Sequence, residues 1–382
     1  MYLGADNNFS ICGYIFKVKI LISLVFYKGA ESSNGYFQRF FYVCFLLLFI
    51  FGAKIYKMEV ENMEYKVKGL YKYGHFQTIY HYIFRKKIPL EFKREIIETY
   101  DSDIVALDWH KVGSNRVVII NPGLESGSVE NYVAGTVKVF EEAFVDTVIL
   151  NLRGCMIDNR NFRAYHSGFI DDLYQLVERL EESYSEIYLV GYSLGGNILL
   201  NYVGRMAEGI SKKIKHVFAI SAPFHLASCS VTMEQKSMRI YTKRFIHSFY
   251  NKNMKKLALK PECVDYEDIK NMRKMKTFAE LDRAFVVKLF GFKDEIDYWH
   301  QTSASNFFNN ICVDTTLINA QDDPFLSDYV KSYNIENPLV DYIVTQYGGH
   351  CGFVLKNPEN RHWHEKVISN IITHSTKNSE HK

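Results

Sequence analysis

A short apolar run ends in a glycine-rich turn at Glu186-Ile-Tyr-Leu-Val-Gly-Tyr-Ser-Leu-Gly-Gly-Asn197. The residues that follow, 198–203, have the composition of a buried helix. A turn this tight between a strand and a helix forces strained backbone angles and brings the two elements close together, which glycine tolerates. The pattern therefore predicts that Ser193, at the apex of the turn, projects as an exposed nucleophile.

A serine hydroxyl is a weak nucleophile, so this hypothesis requires a histidine base and a carboxylate that orients the histidine. In strand–turn–helix sites of this kind the chain order is serine, acid, histidine. Residues 339–347 read as a strand, and they lead into the glycine-flanked loop that contains His350. We therefore expect His350 to be the base.

The acid is expected after the preceding strand. Residues 312–320 read as a buried strand, and Asp322 and Asp323 follow at its carboxyl end. Only one of the two adjacent carboxylates can face the histidine. Asp323 is preferred because Pro324 and an apolar pair follow it, and Asp322 is the alternative.

The developing oxyanion needs two backbone donors. One candidate is the Leu194 N–H, at the N-terminus of the helix after the nucleophile, where unpaired amides and the helix dipole favour negative charge. The second should come from a loop after an early central strand. Residues 116–120 read as such a strand, and the loop 121–128 follows it. Its candidate donor is the Leu124 N–H.

With these motifs the chain resembles the YheT-like branch of the α/β-hydrolase superfamily, which includes eukaryotic lipases and esterases. The blocks that carry the resemblance are Gly74-His-Phe-Gln-Thr-Ile-Tyr80, Asp108-Trp109, Pro122-Gly-Leu-Glu125, Asn151-Leu-Arg-Gly-Cys155, Tyr165-His-Ser-Gly168, Gly191 to Asn197, Ala320-Gln-Asp-Asp-Pro-Phe325 and Gly348-Gly-His-Cys-Gly-Phe353. The resemblance implies a charge relay of Ser193, Asp323 and His350 and the hydrolysis of carboxylic esters or lipids. One departure is Pro122, where the family usually has histidine.

Strands and helices alternate from residue 116 to residue 221, which predicts an α/β-hydrolase fold with a mostly parallel central sheet and helices on both faces. The alternation then stops, and residues 222–310 read as a helical cap over the serine that gates substrate entry. We thus expect one core in two parts, 58–221 and 311–374, and a polar tail at 375–382.

Composition excludes several other classes of protein. The net charge is +3, too small to indicate a nucleic-acid partner. The seven cysteines are scattered and form no C-x-x-C pair, which favours a reducing compartment and argues against structural zinc. The expected chemistry requires no cofactor and no metal, and the expected partner is a small-molecule ester or lipid.

Residues 1–57 form an apolar N-terminal extension with two interpretations. Its uncharged run, 40–52, is shorter than the roughly 20 residues of a spanning helix. The extension is either a membrane anchor or sequence upstream of a start at Met58 or Met63. We expect a cytoplasmic protein, and the alternative is one anchored to a membrane by this segment.

The sequence thus predicts a serine esterase that cleaves short-chain or lipid esters through an acyl-enzyme. An acyltransferase or thioesterase would use the same three residues, and His166 and Asp171 have a spacing found in some acyltransferases. A binding module that has lost catalysis is a further alternative, since fold alone does not establish chemistry.

Overall fold

The computed structural model describes residues 65–259, 266–356 and 359–379. The extension 1–57, with both of its interpretations, lies outside these ranges. Within them, no helix combines the length and the apolar character needed to span a bilayer.

The described residues contain an eight-stranded sheet. Its strands are β1 (Lys93–Glu98), β2 (Ile104–His110), β3 (Arg116–Asn121), β4 (Asp146–Leu150), β5 (Glu186–Tyr192), β6 (Ile214–Ile220), β7 (Thr315–Ala320) and β8 (Val340–Thr345). Their spatial order is β1-β2-β4-β3-β5-β6-β7-β8. The pairs β1–β2 and β2–β4 are antiparallel and all other pairs are parallel.

The central strands are buried on both faces. Every residue of β4 and β7 is buried, and in β3 and β5 only the first residue is partly exposed. Consecutive apolar side chains of this kind are expected of parallel strands that helices cover on both sides. The predicted fold class is therefore confirmed.

Helices fill most of the remaining described chain. The α-helices are α1 (Gly74–Ile83), α2 (Asn131–Glu142), α3 (Asp171–Glu181), α4 (Leu194–Met206), α5 (Leu226–Met233), α6 (Arg239–Leu259), α7 (Tyr266–Met272), α8 (Phe278–Leu281), α9 (Lys288–Phe290), α10 (Glu295–Thr302), α11 (Asp328–Lys331) and α12 (Trp363–Ser379). A π-helix spans Asp282–Val287. Short 3-10 helices lie at Gly69–Lys72, Ala207–Gly209, Lys236–Met238 and Ala304–Asn310.

Between β6 and β7, the described residues from Leu226 to Asn310 form mostly helices, from α5 to the 3-10 helix at Ala304–Asn310. We call this segment the cap. Part of it has its own apolar cluster, in which Ile246 of α6, Met272 of α7 and Leu281 of α8 are buried together. The cap therefore contributes side-chain packing of its own.

Three loops at one edge of the sheet carry the predicted site residues. Ser193 directly follows β5, Asp323 lies in the loop after β7, and His350 lies in the loop after β8. Parallel strands end at the same edge, so the fold brings residues from distant parts of the chain to one place.

Candidate active site

The backbone of Ser193 is strained. Its φ is 52° and its ψ is −120°, a conformation that residues with a side chain rarely adopt. The turn is also crowded, because a Cβ added to Gly195 would lie 2.2 Å from the carbonyl oxygen of Asn121 and one added to Gly191 would lie 2.6 Å from that of Gly195. Both glycines are thus required for the strand and helix to pack around the serine.

Ser193, His350 and Asp323 form one chain of hydrogen-bond contacts. The Ser193 Oγ lies 2.8 Å from His350 Nε2. On the other side of the ring, His350 Nδ1 lies 2.9 Å from Asp323 Oδ2 and 3.2 Å from Oδ1. Asp323 is completely buried and His350 is 7 % exposed. A carboxylate can only accept here, so Nδ1 carries the proton and Nε2 is left to accept from the serine hydroxyl.

The two adjacent aspartates have different partners. Asp323 contacts the His350 ring, whereas Asp322 Oδ1 accepts the Gly349 N–H at 2.8 Å. Burial raises the pKa of Asp322 to about 6. Asp322 therefore holds the backbone of the histidine loop, and Asp323 is the aspartate that contacts the His350 ring.

The histidine loop is held by side chains from elsewhere in the chain. The His350 N–H donates to Thr78 Oγ1 of α1 at 2.9 Å, and the Cys351 N–H donates to Ser221 Oγ at 2.9 Å. Sequence reasoning assigned no role to either hydroxyl. Thr78 lies inside one of the resemblance motifs, but only its position in the fold connects it to His350.

The two candidate oxyanion donors flank the serine. Leu124 and Leu194 both line the cavity that contains Ser193 and His350. Within the described chain, neither amide hydrogen has a hydrogen-bond partner. The loop that carries Leu124 approaches the serine closely, since a Cβ on Gly123 would lie 3.4 Å from Ser193 Cβ. Both amides are thus available near the serine.

Two cavities meet at Ser193. The first, of about 180 Å³, is bounded mainly by apolar side chains of the cap, and we call it the apolar cavity. The second, of about 210 Å³, lies beside α1 and has more polar walls, including Ser126, Arg244 and Ser248, and we call it the polar cavity. Both contain Ser193, His350 and Leu124 in their linings. Each could therefore hold one side of a molecule whose reacting atom sits at the serine.

His166 also lines the apolar cavity. Its Nδ1 accepts the Gly168 N–H at 3.1 Å, and its ring packs edge-on against Phe290 and Tyr298. Burial lowers the pKa of His166 to about 3, so the ring is neutral. These contacts are those of a side chain that shapes the cavity wall.

Arg153 and Cys155 lie in the loop that follows β4. Arg153 pairs with Asp101 and Asp172, each at 2.6 Å, and thereby ties two loops to the first turn of α3. Burial raises the pKa of the Cys155 thiol to about 11, so the thiol is protonated. In the part of the chain that the structure describes, no group of three or more His, Cys, Asp or Glu side chains has the arrangement of a metal site.

Comparison with known proteins agrees with this architecture. The sequence profile of the α/β hydrolase fold matches residues 116–357. The chain is 31 % identical over 314 residues to YheT of Escherichia coli (strain K12), whose name assigns it to the esterases, covering 78 % of this chain and 90 % of that protein. It is 25 % identical over 292 residues to phospholipase ABHD3 of Mus musculus, and the match covers 73 % of this chain and 70 % of the mouse protein.

A further relative is the monoacylglycerol lipase of Saccharomyces cerevisiae. It is 26 % identical over 269 residues, which cover 67 % of this chain and 58 % of the yeast protein. The relatives are thus named as hydrolases of ester bonds. The chain belongs to the α/β-hydrolase family and, within it, to the YheT-like branch of esterase- and lipase-type hydrolases.

Proposed function

We propose that this protein is a serine hydrolase that cleaves carboxylic esters through an acyl-enzyme intermediate. The observation that carries the proposal is the line of contacts from Ser193 Oγ to His350 Nε2, at 2.8 Å, and from His350 Nδ1 to Asp323, at 2.9 Å. This is the arrangement in which an imidazole can remove the serine proton while a buried carboxylate holds its tautomer.

In the first half of the reaction, Ser193 Oγ attacks the ester carbonyl and its proton moves to His350 Nε2. The imidazolium that forms is stabilised by Asp323, which stays ionised. The C–O bond to the alcohol then breaks, and His350 returns the proton to the departing alkoxide. The acyl group is left on Ser193 and the alcohol is released.

The negative charge on the carbonyl oxygen is stabilised by the backbone. We assign this role to the N–H groups of Leu124 and Leu194. The N-terminus of α4 adds the favourable field of its aligned peptide dipoles. In a serine protease, removal of one such donor lowers kcat by about 10²–10³.

In the second half, a water molecule gives a proton to His350 Nε2 and its oxygen attacks the acyl carbonyl. The ester bond to Ser193 breaks, the proton returns to the serine oxygen, and a carboxylic acid leaves. A thioester would follow the same steps with a thiol as the leaving group. An acyltransferase would differ only in using an alcohol in place of water.

We assign the two parts of the ester to the two cavities by the character of their walls. The apolar cavity suits the acyl chain, because Phe249, Phe278 and Phe285 of the cap contribute aromatic walls. The polar cavity suits the alcohol. The relatives named as a phospholipase and a monoacylglycerol lipase favour a lipid ester over a short-chain ester.

Covalent labelling with a fluorophosphonate tests the proposal on the full chain. We expect the wild type to be labelled and both Ser193→Ala and His350→Ala to lose labelling. Ser185→Ala is the matched control, because Ser185 is exposed and precedes the amino end of β5, whereas Ser193 follows its carboxyl end. A folded wild type that takes no label and releases no p-nitrophenol from p-nitrophenyl esters would refute the proposal and favour a binding module.

A further inference from the structure

Glu125 adjoins the Leu124 donor and has an unusual backbone. Its φ is 55°, in the left-handed region that residues other than glycine rarely occupy. Its side chain is only 8 % exposed although it bears a carboxylate. A strained backbone and a buried charge at one position both cost free energy, and such positions persist where the surrounding contacts hold them.

The core of the protein holds Glu125 at two atoms. Its N–H donates to Tyr165 Oη at 3.1 Å, and Tyr165 Oη in turn donates to Glu125 Oε1 at 2.8 Å. One tyrosine hydroxyl thus fixes both the backbone and the side chain of the same residue. Tyr165 itself is buried, so its hydroxyl is a rigid partner.

The cap holds the same carboxylate. Lys252 Nζ contacts Glu125 Oε1, and Ser248 Oγ donates to Oε2 at 3.0 Å. Both residues belong to α6 and lie one helical turn apart, on one face of the helix. The Lys252 side chain is 8 % exposed, so water screens this pair weakly.

Leu124 therefore lies between two fixed neighbours. On its N-terminal side the Gly123 N–H donates to Tyr132 Oη at 3.1 Å. On its C-terminal side Glu125 is bound to Tyr165 and to the cap. The direction of the Leu124 N–H depends on the rotation of the peptide unit between positions 123 and 124, and these contacts limit that rotation from both ends.

We propose that Glu125 is a positioning residue that aims the Leu124 amide at the oxyanion, and that Lys252 and Ser248 of the cap act through it. The inference rests on the function proposed above. It makes the cap part of the machinery for the chemical step as well as a wall of the apolar cavity. A cap that moves away from the core would release Glu125 and misplace the donor.

The test measures kcat and KM for a water-soluble p-nitrophenyl ester with Glu125→Ala, Glu125→Gln and Lys252→Met. Glu125→Ala should lower kcat at least about tenfold, since loss of one oxyanion donor costs about 10²–10³. KM should stay within about twofold. Glu125→Gln should recover most of the rate, because its amide can still bind Tyr165 and Ser248. Lys255→Met, an exposed lysine of α6, is the control and should leave both constants unchanged.

Two further measurements separate positioning from a structural role. Inhibition by a trifluoromethyl ketone, which adds to the serine and forms an oxyanion, should weaken in parallel with kcat/KM. Adding Lys252→Met to Glu125→Ala should cause no further loss, since Lys252 acts through Glu125. Thermal unfolding shows which variants are folded. If Glu125→Ala is not folded, Ser248→Ala takes its place in these measurements.

The inference is wrong if a folded Glu125→Ala variant keeps its kcat, or if only KM rises. It is equally wrong if the losses from Glu125→Ala and Lys252→Met add. Failure of the proposed function has a different result, because the wild-type protein would then neither take the fluorophosphonate label nor hydrolyse the ester.

Discussion

The ring of Phe325 is stacked on the ring of His350, with centroids 4.1 Å apart and planes 19° apart. The Phe325 N–H also donates to Asp323 Oδ1 at 2.8 Å. Phe325 thus contacts the proposed base through its side chain and the proposed acid through its backbone. This one residue fixes the plane in which the imidazole can meet both the carboxylate and Ser193.

Replacing Phe325 with leucine removes the stacked ring and keeps the backbone donor. We expect kcat for p-nitrophenyl esters to fall about tenfold, because a misplacement of about 1 Å in a catalytic group can cost as much as 10² in rate. Steady-state kinetics provide the measurement. Phe84→Leu, at an exposed phenylalanine, is the control, and an equal loss in both variants would contradict the role of the stack.

The two aspartates should respond differently to the same change. Asp323→Asn would favour the wrong tautomer of His350, and in a serine protease the equivalent change costs about 10⁴ in kcat. Asp322→Asn keeps an oxygen that can accept the Gly349 N–H, so we expect less than about a tenfold loss. The kcat of each variant, measured with the same p-nitrophenyl ester, shows which aspartate supports His350. A larger loss from Asp322→Asn would make Asp322 the acid.

The sequence predicts the parallel part of the sheet well, because its strands are continuous apolar runs between helices. It gives no comparable pattern for the edge strand β1, where four charged residues surround two adjacent isoleucines, Ile96 and Ile97. Arg94 pairs with the buried Asp108 of β2 at 2.7 Å. The antiparallel strands β1 and β2 thus depend on contacts between strands, and the residue pattern within one strand does not reveal such contacts.

The same distinction holds within the site. Chain order and glycine-flanked loops predict Ser193, Asp323 and His350, and the structure brings these three residues together. The residues that support the site, such as Thr78 beside His350 and Tyr165 beside Glu125, are ordinary hydroxyl-bearing residues in the sequence. Their roles arise from contacts between distant parts of the chain. Thr78 and His350 are 272 positions apart, and Tyr165 and Glu125 are 40 positions apart.

Asp322 should make stability depend on pH. Burial raises its pKa from 3.8 to about 6, so the folded state holds the proton more tightly than the unfolded chain does. At low pH the Asp322 carboxyl is protonated in both the folded and the unfolded state, so its titration does not change the free energy of unfolding. As pH rises from about 4 to about 6 the unfolded chain ionises first, and folding stability falls.

Asp322→Asn removes this titration. We therefore expect the unfolding temperature of the variant, relative to the wild type, to rise between about pH 4 and pH 6 and to level off above that range. Thermal unfolding of both proteins at several pH values across this range measures the difference. Asp328→Asn, at an exposed acid, should show no such trend. A difference that is constant with pH would mean that the carboxyl of Asp322 titrates normally.

The apolar cavity should set the preferred acyl length. Each methylene moved from water into an apolar site contributes about 0.8 kcal/mol, or about fourfold in kcat/KM. In a graded series of p-nitrophenyl esters we expect kcat/KM to rise by that factor per methylene until the cavity is full, and then to stop rising.

Leu281 is buried in the cap and lines this cavity, so a larger side chain there takes space from the substrate. We expect Leu281→Phe to move the optimum of the ester series to a shorter acyl chain while the rate with the acetate ester stays within about twofold. Ile240→Phe, at an exposed position of α6, controls for the change in the cap. If the optimum shifts equally in both variants, or in neither, the acyl chain does not lie in the apolar cavity.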